Sequence, residues 1–291
     1  MNRHSFEEYA NNKKRPLILD GAIGSILQAE SEKTPLWSSL LNITEPEKVI
    51  DLHKQYINAG ADIITTNTFR TNPSSLSQTD LNISNYELVK KSVELAIKAR
   101  GDKNILIAGS NAPAEDCYQV ERTLSQDELE ENHRQHINNL WESGVDFILN
   151  ETFSHLDEID FVCKHCSQNS IPYIISLYLT EDVELLDGSN LSTAIKNILP
   201  FKPLAIGINC VSPNTFEHIN FGIFKNIGWG FYLNCGSGNV TDEIISCGIS
   251  PADYTETAKK YLRYNPLFIG SCCGSTPAHT TSLREAIDEI Y

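Results

Sequence analysis

Short apolar segments alternate with longer amphipathic ones along most of this 291-residue chain. The apolar segments predict eight β-strands, at Pro16–Asp20, Asp62–Thr68, Asn104–Ser110, Val145–Glu151, Pro172–Tyr178, Pro203–Cys210, Gly228–Asn234 and Pro266–Cys272. Most of them are apolar on both faces, as is typical of parallel strands that helices cover on the outside. This alternation predicts an α/β protein with a parallel sheet.

The segments between the strands show helical periodicity. The clearest predicted helices are Pro46–Ala59, Tyr86–Lys98, Gln126–Glu142, Ala252–Leu262 and Pro277–Ile290. Thr44, Ser125 and Ser250 precede three of them and are residue types that commonly cap a helix N-terminus.

Eight β/α repeats in a chain of this length predict a single-domain (β/α)₈ TIM barrel. We expect the barrel to occupy residues 16–291, with residues 1–15 as an N-terminal lead-in. A doubly wound sheet is the alternative, but it usually carries Gly-x-Gly-x-x-Gly after its first strand. The chain has Asp20-Gly21-Ala22-Ile23-Gly24-Ser25 there, which does not match.

The charge balance limits the partners of this protein. The chain has 23 basic and 38 acidic residues, a net charge of −15, which argues against binding to nucleic acid or to anionic membranes. The N-terminal segment is polar, and no apolar run reaches the roughly 18 residues of a membrane span. We therefore expect a cytoplasmic protein, whose oligomeric state the sequence leaves open. In a reducing compartment, clustered cysteines more often bind metals or take part in catalysis than form disulfides.

Three cysteines fall at predicted strand ends, where barrel enzymes carry their active sites. Cys210 ends the sixth strand, and Cys272 and Cys273 end the eighth. Three thiolates leave a tetrahedral Zn²⁺ with one open position, as in catalytic rather than structural zinc sites. Neighbouring cysteines need a local twist to bind one ion, and Gly270 and Gly274 can permit it. The alternative is that the cysteines simply pack as small apolar side chains.

Two carboxylates also lie at strand ends. Asp20 is followed by the backbone amides of Gly21 and Ala22, which we expect at a helix N-terminus, where they could bind the carboxylate of an amino acid. Asp20 would then contact the ammonium group, unless it serves only as a helix N-cap. Glu151 follows an apolar strand and is costly to bury without a cation. It could contact the same ammonium group or pair with an arginine in the next loop.

The other predicted strand ends carry small polar or aromatic groups: Thr66, Asn67, Ser110, Tyr178 and Asn234. No strand end supplies a lysine for a Schiff base or a histidine for general base catalysis. This absence argues against an aldolase or a hydrolase.

Two further patterns resemble metal sites but are predicted not to be. Cys163 and Cys166 form a Cys-x-x-Cys pair inside a predicted helix, without a second pair nearby. His133 and His136 lie three residues apart on a helix and are expected to be a surface pair on the outer ring.

Several motifs together resemble the homocysteine S-methyltransferase family. They are Leu19-Asp20-Gly21-Ala22-Ile23-Gly24, the segment 60–69, Gly144-Val145-Asp146 with Glu151-Thr152-Phe153, Gly207-Ile208-Asn209-Cys210, and the segment 269–279 around Cys272-Cys273. The resemblance implies a (β/α)₈ barrel with Zn²⁺ held by Cys210, Cys272 and Cys273. It also implies homocysteine bound through Asp20, Glu151 and the amides of Gly21 and Ala22. Thr66 and Asn67 are further candidates for the substrate site.

The chain departs from the family pattern in the loops after strands three and seven. In place of Gly-Ser-Val-Gly-Pro-Tyr-Gly it has residues 109–115, and in place of Tyr-Pro-Asn-Ser-Gly it has Tyr232-Leu233-Asn234-Cys235-Gly236. These loops should shape the methyl-donor site, for which Ser110, Tyr232 and Asn234 are candidates. The divergence leaves the donor open.

The predicted function is zinc-dependent transfer of a methyl group from S-methylmethionine or S-adenosylmethionine to the thiol of homocysteine, giving methionine. The alternatives are a betaine-dependent homocysteine methyltransferase and a non-catalytic zinc-binding barrel.

Overall fold

The computed structural model describes residues 1–28, 34–237 and 245–291. Within these residues lie eight parallel strands: β1 Leu17–Ile18, β2 Ile63–Thr65, β3 Leu106–Asn111, β4 Phe147–Phe153, β5 Tyr173–Leu177, β6 Ala205–Asn209, β7 Trp229–Leu233 and β8 Phe268–Ser271. Each one overlaps a predicted strand, so all eight strand predictions are confirmed.

The strands form one closed barrel. Each strand pairs in parallel with its neighbours in sequence, from β2 to β8, and β8 also pairs with β1. A parallel bridge between Leu19 and Ile63 joins β1 to β2 and completes the ring. The prediction of a single-domain (β/α)₈ barrel is therefore confirmed, and the doubly wound alternative is wrong.

The described helices surround this barrel. They are α1 Arg3–Lys13, α2 Gly24–Gln28, α3 Leu41–Thr44, α4 Pro46–Asn58, α5 Pro73–Leu76, α6 Asn85–Arg100, α7 Gln126–Glu142, α8 Leu156–Gln168, α9 Leu191–Ile198, α10 Pro213–Glu217, α11 Pro251–Lys259 and α12 Pro277–Ile290. None of the described helices has the length and apolar character that crossing a membrane requires.

Two of the three predicted helix caps are confirmed. Ser125 forms a capping box with Glu128 at the start of α7, and the Ser250 side chain accepts a hydrogen bond from the Asp253 amide at the start of α11. The prediction for Thr44 is wrong. Thr44 is the last residue of α3, and its hydroxyl donates back to the Leu40 carbonyl instead of capping the next helix.

The N-terminal end of the barrel is closed by α1. Phe6 is 1% exposed and packs edge-on against Phe147 of β4, with ring centroids 5.5 Å apart. Burial of a phenylalanine of this kind typically contributes about 3–5 kcal/mol, judged from truncation to alanine. The lower half of the barrel is thus a packed core, and an open chamber is left only at the C-terminal ends of the strands.

Asp62 links β1, the shortest strand, to β2 through side-chain hydrogen bonds. Its carboxylate accepts hydrogen bonds from the Ile18 amide at 2.9 Å and from the Arg15 guanidinium at 2.6 Å. Burial alone would raise the pKa of Asp62, but the hydrogen bonds from Arg15, Ile18 and Lys13 outweigh it and hold the pKa below its ordinary value. Asp62 and Arg15 therefore hold β1, which directly precedes Asp20, in register with β2.

The prediction that His133 and His136 form a surface pair is wrong, because both are fully buried. His133 Nε2 lies 2.7 Å from Glu158 Oε1, and His136 Nδ1 lies 2.8 Å from Asn111 Oδ1. Burial lowers the pKa of His136 to about 3, so this ring is neutral. Asn111 at the polar end of β3 supplies a hydrogen-bond partner, and such partners allow this polar face of α7 to be buried.

Candidate active site

A cavity of about 480 Å³ opens at the C-terminal ends of the strands. Its lining includes all three predicted metal ligands and both predicted carboxylates: Cys210, Cys272, Cys273, Asp20 and Glu151. This is the end of the barrel at which TIM-barrel enzymes carry out catalysis.

The three sulfurs lie close enough together to share one ion. Cys210 Sγ is 3.5 Å from Cys273 Sγ, and Cys272 Sγ is 3.9 Å from Cys273 Sγ. All three sulfurs lie within 4.8 Å of one another. Four ligands at the usual Zn–S distance of about 2.3 Å stand about 3.8 Å apart in a tetrahedron. The spacing of the sulfurs therefore fits three corners of a zinc site.

Backbone turns aim these sulfurs at one point. Cys210 has a φ of 58°, a left-handed conformation that a cysteine adopts only where its surroundings enforce it. Gly274 has a φ of 77°, and a side chain there would meet Gly236 Cα at 2.4 Å. The expected twist after the cysteine pair thus occurs at Gly274. Gly270 serves a different purpose, because it leaves room for Leu19, whose Cβ would lie 2.8 Å from an added Cβ.

The ends of β4 and β6 are tied to each other beside Cys210. The Asn209 side chain accepts a hydrogen bond from the Thr152 amide at 3.0 Å and donates one to the Thr152 hydroxyl at 2.8 Å. Thr152 also has a left-handed φ, of 66°. This double contact fixes Cys210 and Glu151 relative to each other, since each is the chain neighbour of one of the bonded residues.

The environment of the thiols separates their pKa values. Hydrogen bonds from Cys272 and Cys273, together with one from Tyr118, hold the pKa of Cys210 well below its ordinary value. The same contacts raise the pKa of Cys272, with burial adding to the effect.

Tyr118 is a site residue that the sequence did not identify. Its hydroxyl lies 3.0 Å from Cys210 Sγ, and its ring packs edge-on against Tyr178 with centroids 5.0 Å apart. Tyr178 was noted at the end of the fifth strand, but Tyr118 comes from an irregular loop after β3. No local pattern marks such a residue as a neighbour of the thiols.

Asp20 follows β1, lines the cavity and is 1% exposed. One carboxylate oxygen accepts a hydrogen bond from the Thr65 amide at 2.7 Å, and the Thr65 hydroxyl donates to the same carboxylate. Burial raises the pKa of Asp20 well above its ordinary value, and the charge of Glu151 raises it further. The helix N-cap alternative is wrong, because α2 begins only at Gly24.

Glu151 is held by two hydroxyl groups. Ser110 Oγ donates to it at 2.5 Å and Tyr232 OH at 3.2 Å. Burial raises the pKa of Glu151 from its ordinary value of 4.5 to about 7. The alternative of a nearby arginine is wrong, since no basic side chain of the described residues forms an ion pair with Glu151 or Asp20. Two carboxylates that pair with no basic side chain in the described part of the chain therefore line the same cavity.

Ser110 and Tyr232 were predicted for the methyl-donor site and line the cavity, but both contact Glu151. Asn234 does not line it. Its side chain instead accepts a hydrogen bond from the Gly236 amide at 2.7 Å. Of these three residues, Ser110 and Tyr232 thus belong to the cavity, whereas Asn234 belongs to the turn beside it.

The remaining predicted substrate contacts, Gly21, Ala22, Thr66 and Asn67, all line the cavity. The Ala22 amide donates to Ser275 Oγ at 3.0 Å, so a hydroxyl already occupies the direction that a substrate carboxylate would use. Thr66 Oγ1 accepts from the Ser110 amide at 3.1 Å.

The side chain of Asn67 hydrogen-bonds to Ser38, which lies between α2 and α3. Its amide nitrogen donates to the Ser38 carbonyl at 2.9 Å, and its oxygen accepts from Ser38 Oγ at the same distance. This contact fixes the neighbouring cavity wall.

Cys163 and Cys166 are both fully buried on α8, away from this cavity. Among the described residues, a group of three or more possible metal ligands occurs only at Cys210, Cys272 and Cys273.

A (β/α)₈ barrel whose cavity is lined by three thiols and two buried carboxylates has the construction of an enzyme that binds an amino-acid thiol. The homocysteine S-methyltransferase family model matches residues 17–287, and the chain belongs to this family. It is accordingly an enzyme that transfers a methyl group to a thiol.

The similar proteins include curated plant enzymes and a solved bacterial structure. The chain is 25% identical to homocysteine S-methyltransferase 2 of Zea mays, over 94% of this chain and 90% of that protein. It is 23% identical to a selenocysteine Se-methyltransferase of Brassica oleracea var. italica, over 98% and 92% of the two chains. The metallated form of the homocysteine methyltransferase MmuM from Escherichia coli superposes with a TM-score of 0.78 at 26% identity, covering 94% and 97% of the two chains.

Proposed function

We propose that this protein transfers a methyl group from S-methylmethionine or S-adenosylmethionine to homocysteine, giving methionine, and that the reaction depends on Zn²⁺ held by Cys210, Cys272 and Cys273. The observation that carries the proposal is a single cavity lined by three sulfurs and two carboxylates. Its three sulfurs suit the thiol end of homocysteine, and its two carboxylates suit the ammonium end.

The donor set supports zinc as the metal. Three cysteine sulfurs at tetrahedral spacing are typical of zinc sites, and carboxylate-preferring ions such as Mg²⁺ would not choose them. Zn²⁺ bound there would convert an incoming thiol to its thiolate at neutral pH. A free thiol has a pKa of about 8.5 and is only slightly ionised at that pH.

Asp20 and Glu151 would hold the ammonium group. Their raised pKa values reflect burial without a cation, and an ammonium group between them removes that penalty. Ser110 and Tyr232 fix the position of Glu151 by donating to it, which leaves the remaining lone pairs of the carboxylate for the substrate.

The methyl transfer needs no acid catalyst. A new bond forms between the homocysteine sulfur and the methyl carbon as the bond from that carbon to the sulfonium sulfur breaks. The bonding electrons leave with the donor sulfur, which becomes a neutral thioether. The described cavity lining agrees with this chemistry, since it includes neither lysine nor histidine.

A donor panel tests the proposal. Zinc-loaded protein is incubated with homocysteine and either S-methylmethionine, S-adenosylmethionine, betaine or methylfolate, and methionine is measured. We expect product from a sulfonium donor. Product only from betaine would favour the betaine-dependent alternative, and no product from any donor would refute the proposal.

Paired cysteine variants test the metal. C272S should lose both zinc and activity, while C247S should keep both, because Cys247 is exposed and lies outside the thiol cluster. X-ray absorption should show three sulfur ligands without substrate and four with homocysteine. A closed four-ligand site that homocysteine leaves unchanged would support the non-catalytic alternative instead.

A further inference from the structure

A buried arginine borders the cavity, and the roles described above do not use it. Arg70 follows β2, is 5% exposed and lines the chamber together with Trp37 and Phe69. Its guanidinium carbon lies 4.6 Å from the centroid of the Trp37 ring and 5.6 Å from that of Phe69. The two rings stack on each other with centroids 5.7 Å apart. The aromatic faces at this wall are thus already occupied by a cation.

The guanidinium of Arg70 has few hydrogen-bond partners among the described residues. Its Nη1 donates to the Glu115 backbone carbonyl, and its buried Nε has no hydrogen-bond partner. No carboxylate of the described residues forms an ion pair with it. Burying a guanidinium costs free energy unless an anion or a full set of acceptors replaces the lost water. An anionic group of a ligand would meet that need.

We propose that Arg70 binds the carboxylate of the methyl donor and so orients the donor in the cavity. This inference rests on the proposed function. A sulfonium or quaternary ammonium centre is repelled by the guanidinium, so the cationic methyl-bearing centre of the donor turns away from Arg70 while its carboxylate turns towards it. The donor therefore carries its methyl-bearing cationic centre at one end and its carboxylate at the other.

Arg70 and Cys210 both contact the loop after β3. Arg70 is bonded to Glu115, and the same loop, three residues further on, carries Tyr118, whose hydroxyl lies 3.0 Å from Cys210 Sγ. A donor that spans from Arg70 towards Cys210 would present its methyl group to the thiol. Asp20 and Glu151, which follow or belong to other strands, remain for the ammonium group of homocysteine.

The test pairs two donors that differ only in the carboxylate. One is S-methylmethionine, and the other is its decarboxylated analogue, (3-aminopropyl)dimethylsulfonium. Wild-type zinc-loaded protein should prefer the carboxylated donor in kcat/KM. In R70Q we expect kcat/KM for S-methylmethionine to fall roughly 10- to 100-fold, the value of a charge-assisted hydrogen bond, mainly through a higher KM. The analogue has no carboxylate for Arg70 to bind and should show no loss of kcat/KM in R70Q.

R70K and R122Q complete the design. R70K keeps the charge but loses the planar fork, so it should recover part of the preference. It also allows the measurement if R70Q does not fold. R122Q removes an arginine on the neighbouring loop that pairs with Asp157, and it should leave both donors unaffected.

Three results would overturn the role of Arg70. They are an equal loss for both donors, no loss for either donor, and a loss confined to the KM of homocysteine, which would mean that Arg70 binds the carboxylate of homocysteine. If the wild-type protein itself forms no methionine from any donor, the proposed function fails. That outcome is distinct, because it appears before any variant is compared.

Discussion

Replacing Glu151 by glutamine tests whether burial without a cation raises the pKa of Glu151, as expected for a site that binds an ammonium group. The folded chain holds the pKa of Glu151 at about 7, against an ordinary value of 4.5. Between these two values the folded protein keeps a proton that the unfolded chain has lost, so the folded state binds more protons. The free energy of unfolding must therefore fall as the pH rises through this window.

The size of the effect follows from the same values. One pKa unit corresponds to about 1.36 kcal/mol, so between pH 5 and pH 8 the titration of Glu151 should reduce the stability of the wild-type protein by up to about 2.5 kcal/mol. Glutamine does not titrate and retains an acceptor for Ser110 Oγ. E151Q should therefore lack this decrease. Without substrate, its stability relative to that of the wild-type protein should rise by that amount over the same range.

Urea unfolding at pH 5, 6, 7 and 8, with and without homocysteine, measures both halves of the prediction. The metal site is the same in the two proteins, so its own pH dependence cancels in the difference between them. With homocysteine at pH 8, the ammonium group should stabilise ionised Glu151. The difference in the free energy of unfolding between E151Q and the wild-type protein should therefore narrow. The affinity of the wild-type protein for homocysteine should rise as the pH passes about 7, and that of E151Q should be weaker. Parallel stability curves for the two proteins would refute the reasoning.

Three further perturbations follow from the site. Y118F removes the hydroxyl 3.0 Å from Cys210 Sγ and should lower kcat about tenfold or more with zinc content unchanged; unchanged kcat would assign Tyr118 a packing role only. G274A forces a side chain to within 2.4 Å of Gly236 Cα at a φ of 77°, and should cost about 2 kcal/mol or more and weaken zinc binding. The matched control G188A has a similar φ of 79° but open space, so equal losses in the two variants would argue against steric crowding. Chelation should abolish methyl transfer and Zn²⁺ should restore it; full activity in metal-free protein would exclude zinc dependence.

The barrel could be predicted because its signals are local. Apolar runs that are buried on both faces and helix caps such as Ser125 each depend on a few adjacent residues. The same holds for the candidate cluster, since the strand ends that carry Cys210 and Cys272 must meet at one end of a barrel. The prediction for His133 and His136 failed because periodicity alone did not reveal that the polar end of β3 would bond to them.

The parts of the site that could not be predicted lie in loops or depend on two distant segments. Tyr118 comes from irregular backbone, and its contact with Cys210 joins residues that are 92 positions apart. Arg70 looks like any loop arginine until its burial and its stacking on Trp37 are known. The left-handed turn at Cys210 is held by surrounding segments and has no local signature, because it is not a glycine.

The sequence by itself determined the (β/α)₈ architecture and which thiols and carboxylates would stand at the mouth of the barrel. Hydrophobic periodicity and the position of a residue at a strand end are properties of short segments, so they can be recognised without knowledge of the fold. Only the tertiary structure decided that the sulfurs stand at tetrahedral spacing and that burial raises the pKa of Glu151 to about 7. It also decided that Arg70 is buried without a paired carboxylate among the described residues. Spacing, desolvation and charge compensation depend on groups from different strands, and these groups meet only when the barrel closes.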